Sequence, residues 1–132
     1  MTKPAKDDPL ARLAALCLAL PEATREDMGR HASFRVRKKV FAYFLDDHHG
    51  DGIVSVCCKT ALGEHRDLAA ADPARYYVPA YIGPRGWVGL RLDAGAIDWS
   101  EVAERVAESY RLVAPKRLAL LAGALRARAA EA

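Results

Sequence analysis

The chain has 132 residues, of which 52% are hydrophobic and 28% are charged, and its formal net charge is +3. This length and composition indicate one globular domain spanning 1–132 and exclude an intrinsically disordered chain. A domain of this size buries roughly two thirds of its unfolded-chain surface, so it needs no metal or disulfide to fold. The small net charge does not by itself indicate a polyanionic partner.

The chain contains an odd number of cysteines, all inside apolar runs: Cys17, Cys57 and Cys58. Because neighbouring residues on a strand point to opposite faces, we do not expect a bond between Cys57 and Cys58. Buried free thiols in a reducing compartment are expected instead. No run of sequence approaches the ~20 apolar residues of a membrane span. We therefore expect a cytoplasmic, monomeric protein without membrane association.

The first half of the chain predicts one helix followed by strands. Residues 1–8 are polar and expected to be flexible, and Asp8 followed by Pro9 predicts the start of a helix that continues to Leu20. Residues 24–58 then contain "FRVRKKVFAYFL" and "IVSVCC", which have strand composition, joined by the turn cluster "DDHHGDG". Short connections without an intervening helix predict an antiparallel meander.

The second half of the chain predicts three helices and one long strand. Thr60 is the expected N-cap of a helix through Ala71, with Leu62 facing inward. The prolines of "YYVPAYIGPRG" exclude a central strand there, whereas "WVGLRL" predicts a strand with alternating faces. "DWSE" matches a capping box before the third helix, and residues 116–132 predict a C-terminal helix. The expected fold class is α+β, with a single antiparallel sheet meander, helices packed on one face, and two C-terminal helices.

The hairpin "FRVRKKVF" has a predicted register. A two-residue turn at Arg37-Lys38 would place Phe34 opposite Phe41 and Val36 opposite Lys39. Phe34, Val36, Phe41 and Tyr43 would then share the core face, with Lys39 at its rim and Arg35 on the other face. A type I′ turn at this point requires positive φ at two residues that are not glycine.

Charge is segregated along the sequence. Residues 25–45 hold six basic and two acidic side chains, whereas residues 46–72 hold two basic and six acidic ones. One hypothesis is that the hairpin cations bind nucleic-acid phosphates and that cations near other strand ends extend the patch. The alternative is a solvated hairpin whose charges prevent edge-to-edge pairing. The candidate nucleic-acid-binding residues are Arg35, Arg37, Lys38, Lys39, Lys59 and Arg85.

The loop 78–87 supports a second hypothesis, a non-enzymatic adaptor or a small anionic-ligand-binding protein. Tyr81, Arg85 and Trp87 could line a small anionic pocket, and both aromatic rings could equally stack on bases or pack in the core. No histidine or cysteine pair has metal-ligand spacing, and no serine lies in a nucleophile motif. We therefore expect no enzyme activity, no cofactor and no metal site.

Five segments in order resemble one known family: "LALPEATRED", "FRVRKKVFAYF", "VCCK", "YYVPAYIGPRGWVGLRLD" and "ESYRLVAPKR". From about Leu10 to Arg117 the chain resembles the YjbR family, also called MmcQ/YjbR-like. This resemblance implies a fold similar to the bacterial frataxin homologue and implies DNA binding, through hairpins likened to wings. It brings no catalytic residue. The family usually has glycine at the hairpin tip, where this chain has Arg37-Lys38.

Overall fold

The computed structural model describes residues 8–131, except for the side chains of His49 and residues 127–131. Its strands are β1 (Thr24–Met28), β2 (His31–Val36), β3 (Lys39–Asp46), β4 (Val54–Lys59), β5 (Tyr76–Tyr77) and β6 (Trp87–Arg91). Its helices are α1 (Pro9–Leu18), α2 (Glu64–Ala71), α3 (Trp99–Val113) and α4 (Lys116–Glu131). The predicted α+β class is confirmed. The expectation of flexibility for residues 1–8 lies, except for Asp8, outside the described residues.

The strands form one antiparallel sheet in the order β1-β2-β3-β4-β6-β5. Helices α1 and α3 cover one face, and α2 packs beside β5 and β6 at one edge. The other edge, β1, is exposed along its whole length and carries the charged sequence "TREDM", which discourages pairing with another chain. We call the face opposite α1 and α3 the open face. No helix among residues 8–131 is long and apolar enough to cross a membrane.

A β-bulge corrects the predicted register of the β2–β3 hairpin. Val36 pairs with Lys39 as expected, but Phe34 pairs with Ala42, which leaves Phe41 as an extra residue on β3. Phe41 and Ala42 are both buried in the core beneath the helices. The predicted pairing of Phe34 with Phe41 is therefore wrong, and the shift turns Tyr43 to the open face instead of the core face.

The helix boundaries follow their predicted caps in two of three cases. The Asp8 carboxylate accepts a hydrogen bond from the Leu10 N–H, and that of Asp98 accepts bonds from the first turn of α3. Helix α2 begins at Glu64 rather than at Thr60, whose buried hydroxyl donates to the Gly86 carbonyl. The prediction that Leu62 faces inward is wrong, because its side chain is 83% exposed.

Ser109 and Tyr110 of α3 attach the helical layer to the sheet. The buried Ser109 hydroxyl donates to the carbonyl of the bulged Phe41 (2.5 Å) and accepts from the Lys59 N–H (2.8 Å). The Tyr110 ring makes an edge contact with Phe41, and its hydroxyl donates to the Pro21 carbonyl (2.6 Å). Ser109 therefore satisfies the carbonyl of Phe41, the residue that the bulge leaves unpaired, and Tyr110 joins α3 to the chain before β1.

Candidate functional site

The antiparallel topology collects cations at one end of the molecule. The β2–β3 turn, the end of β4 and the start of β6 lie at the same end, and α3 ends there because Ser109 bonds Phe41 and Lys59. We call this the basic end and define it by residues 19–23, 36–40, 59–64, 83–87 and 108–117. It carries Arg37, Lys38, Lys39, Lys59, Arg85, Arg111, Lys116 and Arg117 against Glu22, Glu64 and Glu108.

The opposite end of the sheet is acidic. It is formed by residues 27–31, 45–54, 71–75 and 91–101, which we call the acidic end. It carries Asp27, Asp46, Asp47, Asp51, Asp72, Asp93, Asp98 and Glu101 against Arg30, Arg75 and Arg91. All three of these arginines have ion-pair partners at their own end. The charge segregation of the sequence thus becomes a charge separation along the strand direction.

The six candidate nucleic-acid-binding cations fall into two groups, those with and those without an acidic partner. Arg37 makes a two-point contact with Glu22 (2.6 and 3.1 Å), and Arg35 pairs with Glu26 of β1 (3.2 Å). The hydrogen bond from Arg37 holds the pKa of Glu22 below its ordinary value. Within the described part of the chain, the other four candidates have no acidic partner. They are Lys38, Lys39, Lys59 and Arg85.

The hairpin tip is a turn with positive φ at both central residues, 50° at Arg37 and 71° at Lys38. These values match a type I′ turn, which is compatible with the twist of the flanking strands but strained for residues other than glycine. The predicted two-residue turn is confirmed. Arg37 in this turn also makes the ion pair with Glu22, in which both side chains are about half exposed.

Trp87 and Tyr81, the two aromatic candidates, occupy different environments. Trp87 lies on the open face but is only 8% exposed, and its ring contacts that of Tyr43 at 5.5 Å between centroids. A ring packed in this way has no free face on which a base could stack. Tyr81 is 81% exposed.

A cavity of about 480 Å³ lies between the open face and the loop after β5. Its lining consists of Met28, His31, Tyr43, Leu45, His48, Asp51, Tyr77, Pro79, Ala80, Tyr81 and Ile82. Of the predicted pocket residues only Tyr81 is part of this lining, and Arg85 and Trp87 are not. Sequence reasoning missed the rest because they come from four separate segments that only the folded sheet brings together.

We call residues 77–82 the roof of this cavity, and its position depends on a close approach between Tyr77 of β5 and Gly89 of the neighbouring strand β6. The Tyr77 ring lies directly over Gly89, where an added Cβ would sit 2.3 Å from the ring. The Tyr77 hydroxyl is hydrogen-bonded to the Ser55 hydroxyl (2.8 Å), which fixes the ring against β4. Only glycine at position 89 allows this arrangement.

Tyr81 occupies a strained turn at the end of the roof. The Ala80 carbonyl accepts from the Ile82 N–H (2.7 Å), which closes a three-residue turn around Tyr81, whose φ is +67°. This is the rare form of γ-turn with positive φ at its centre. Strain of this kind concentrates at ligand-binding segments, which marks the loop as a candidate site.

The cysteines are free and buried, as predicted. Burial raises the pKa of the Cys57 thiol to about 11 and raises the pKa values of Cys17 and Cys58 as well. Thiols in such surroundings are poor nucleophiles because the thiolate is scarce at neutral pH. Among the described residues, no group of three or more His, Cys, Asp or Glu side chains is placed to hold a metal ion.

Comparison with known proteins gives one family and one solved structure. The YjbR family model matches residues 18–112. The chain belongs to the YjbR family. The crystal structure of Deinococcus radiodurans protein DR2400, with domain DUF419, is similar to this chain at a TM-score of 0.63 and 21% identity, covering 85% of this chain and 81% of that one. At that identity the likeness shows the fold alone. No curated protein matches the chain.

The segments that resemble the YjbR family have structural explanations in this fold. Phe41 forms the bulge, Ser109 and Tyr110 support it, and Gly83 allows close packing of Val78, whose Cγ1 lies 2.4 Å from where a Cβ would be. These YjbR positions therefore build the sheet and the roof.

Proposed function

We propose that this YjbR protein binds nucleic acid through its basic end. The observation that carries the proposal is that Lys38, Lys39, Lys59 and Arg85 lie together at the end of the sheet, without acidic partners among the described residues. Unpaired cations release counterions when they contact phosphates, and this release drives sequence-independent binding. The acidic end opposite them orients the molecule toward a polyanion at a distance.

The β2–β3 hairpin makes the main contact with DNA in this proposal. The major groove of duplex DNA admits a two-stranded β-ribbon, and the tip of the β2–β3 hairpin, residues 36–40, lies beyond the pairing of β2 with β1 and of β3 with β4. Lys38 and Lys39 lie at and beside its turn. Arg35 and Arg37 contribute less to phosphate binding, because Glu26 and Glu22 already neutralise them, and they hold the tip in position instead.

The composition of the chain favours contacts to phosphates over readout of bases. The chain contains neither asparagine nor glutamine, the side chains that pair most specifically with adenine. Trp87, which could stack on a base, is buried. Binding through phosphates alone predicts similar affinity for duplexes of different sequence.

Fluorescence anisotropy with a labelled duplex across a range of NaCl concentrations tests the proposal. Four phosphate contacts predict a slope of log K against log[salt] of about −3 to −4. The variant K38A/K39A is expected to reduce the slope by about 2 and to weaken binding about tenfold at low salt.

The matched control is R30A/R91A, which removes the same net charge from the acidic end. Its affinity for DNA is expected to stay within about twofold of the wild type, because salt screens the interaction between the DNA and charges that lie far from the contact. Equal losses in the two double variants would show that only net charge matters and would contradict the proposal. A slope near zero for the wild type would also contradict it.

A further inference from the structure

We propose that the cavity on the open face is a binding site for a small organic cation with an aromatic or apolar body. The site is independent of the basic end. At about 480 Å³ the cavity falls in the range of small-molecule sites, and its lining is mostly apolar and aromatic with few polar groups. The walls come from the β1–β2 hairpin, from β3, from the β3–β4 loop and from the loop after β5.

The cavity is preformed on the sheet side. Tyr43 and Leu45 of β3 form its floor, and Tyr77 forms part of its roof, held by Ser55 and by the close approach over Gly89. Because these groups are fixed by the β-ladder and by packing, a ligand would not have to order them on binding. Tyr81, at the centre of the turn with positive φ, completes the lining on the loop side.

The charge of the lining favours a cation. Among the described residues of the lining, Asp51 is the only carboxylate and none is lysine or arginine. The same loop carries Asp47, whose carboxylate accepts from the Gly52 N–H, and both aspartates belong to the acidic end. An anionic ligand would meet the Asp51 carboxylate there, with no lysine or arginine in the described lining to compensate its charge.

The aromatic rings of the lining suit the same ligand. Tyr43, Tyr77 and Tyr81 contribute rings from the floor and the roof. Faces of aromatic rings attract ammonium groups, and grouped rings are the usual recognition device for quaternary ammonium ions. A carboxylate beside several rings combines the two attractions that such a cation uses. The chemistry of the lining therefore disfavours the small anion expected for loop 78–87.

Three probes that share a phenyl ring and differ in charge test the proposal: benzyltrimethylammonium, benzyl alcohol and benzoate. Amide chemical shifts in ¹H–¹⁵N spectra report binding at Tyr43, Tyr77 and Tyr81. The ammonium probe is expected to bind at least about threefold more tightly than the alcohol, and benzoate is expected not to saturate the site. Tighter or equal binding of benzoate, equal binding of the alcohol, or no shifts in the lining would overturn the proposal.

Two variants at accessible positions locate the effect. Asp51→Asn removes the charge but keeps an oxygen to accept from the Ile53 N–H (2.9 Å), so the fold is preserved. This variant is expected to weaken binding of the ammonium probe about three- to tenfold and to leave the affinity for benzyl alcohol unchanged. Tyr81→Ala should weaken both probes, and Arg85→Ala, outside the lining, should change neither. Unchanged ammonium binding in Asp51→Asn would overturn the assignment.

Discussion

Replacing Ser109 with alanine is expected to destabilise the protein by about 1.5–5.5 kcal/mol. The hydroxyl bonds the Phe41 carbonyl at 2.5 Å and the Lys59 N–H at 2.8 Å, and the residue is fully buried. Removing it leaves the buried Phe41 carbonyl and the part-buried Lys59 N–H without this partner, at about 1–3 kcal/mol each. Alanine regains roughly 0.5 kcal/mol through its higher helix propensity. The net loss exceeds that of an ordinary surface substitution.

Urea denaturation followed by circular dichroism measures this loss. With an m-value of about 1.5 kcal/mol/M, a loss of 3 kcal/mol lowers the midpoint by about 2 M. Ser100→Ala is the matched control, because Ser100 is exposed in the first turn of the same helix. We expect its midpoint to stay within about 0.3 M of the wild type. A midpoint for Ser109→Ala equal to that of the control would refute the structural role assigned to this hydroxyl.

Three further predictions follow from single contacts. Gly89→Ala should destabilise the protein by about 1–3 kcal/mol because its Cβ displaces the Tyr77 ring. Gly123→Ala, in a helix with open space around it, should stabilise the protein by about 0.5–1 kcal/mol. Changes of the same sign in the unfolding free energies of both variants, measured by chemical denaturation, would contradict these expectations. The thiols of Cys17, Cys57 and Cys58 should resist Ellman's reagent at pH 8 and react fully in urea, because burial raises their pKa values; rapid reaction of the folded protein would show that a thiol is accessible. Arg37 lowers the pKa of Glu22, so the contribution of this pair to stability should be present above the ordinary glutamate pKa of about 4.3 and be lost as pH falls through the lower folded-state pKa. A difference in unfolding free energy between wild type and Glu22→Gln that does not shrink under acid would argue against the pair.

Local sequence signals predicted most of the fold. Residues of alternating polarity predicted the strands from β2 to β4. Asp8 and Asp98 predicted the starts of two helices, and the prolines excluded a central strand near Pro79. Each of these signals acts within a few residues of the feature it determines. The bulge at Phe41 has no such signal, because its carbonyl is satisfied by Ser109, 68 residues away in sequence. One extra residue then reverses the face of Tyr43.

The sites were predictable only in part. The cations of "RVRKK" could be read from the sequence, but the ion pairs of Arg35 and Arg37 could not. Arg35 meets Glu26 only because β1 pairs with β2, and Arg37 meets Glu22 only because the chain before β1 passes the hairpin tip. The cavity is assembled from segments far apart in sequence, so no local pattern marks it. Trp87 is buried because Tyr43 turned to its face of the sheet.

Mapping amide chemical shifts during titration with a short DNA duplex tests the central claim most directly. Binding through the basic end predicts shifts at residues 36–40, 59–61 and 85–87 that fade as salt is raised. The acidic end, including residues 46–52 and 93–98, should remain unchanged. Shifts confined to the acidic end or to the lining of the open-face cavity, or no salt-sensitive shifts anywhere, would contradict nucleic-acid binding by this surface.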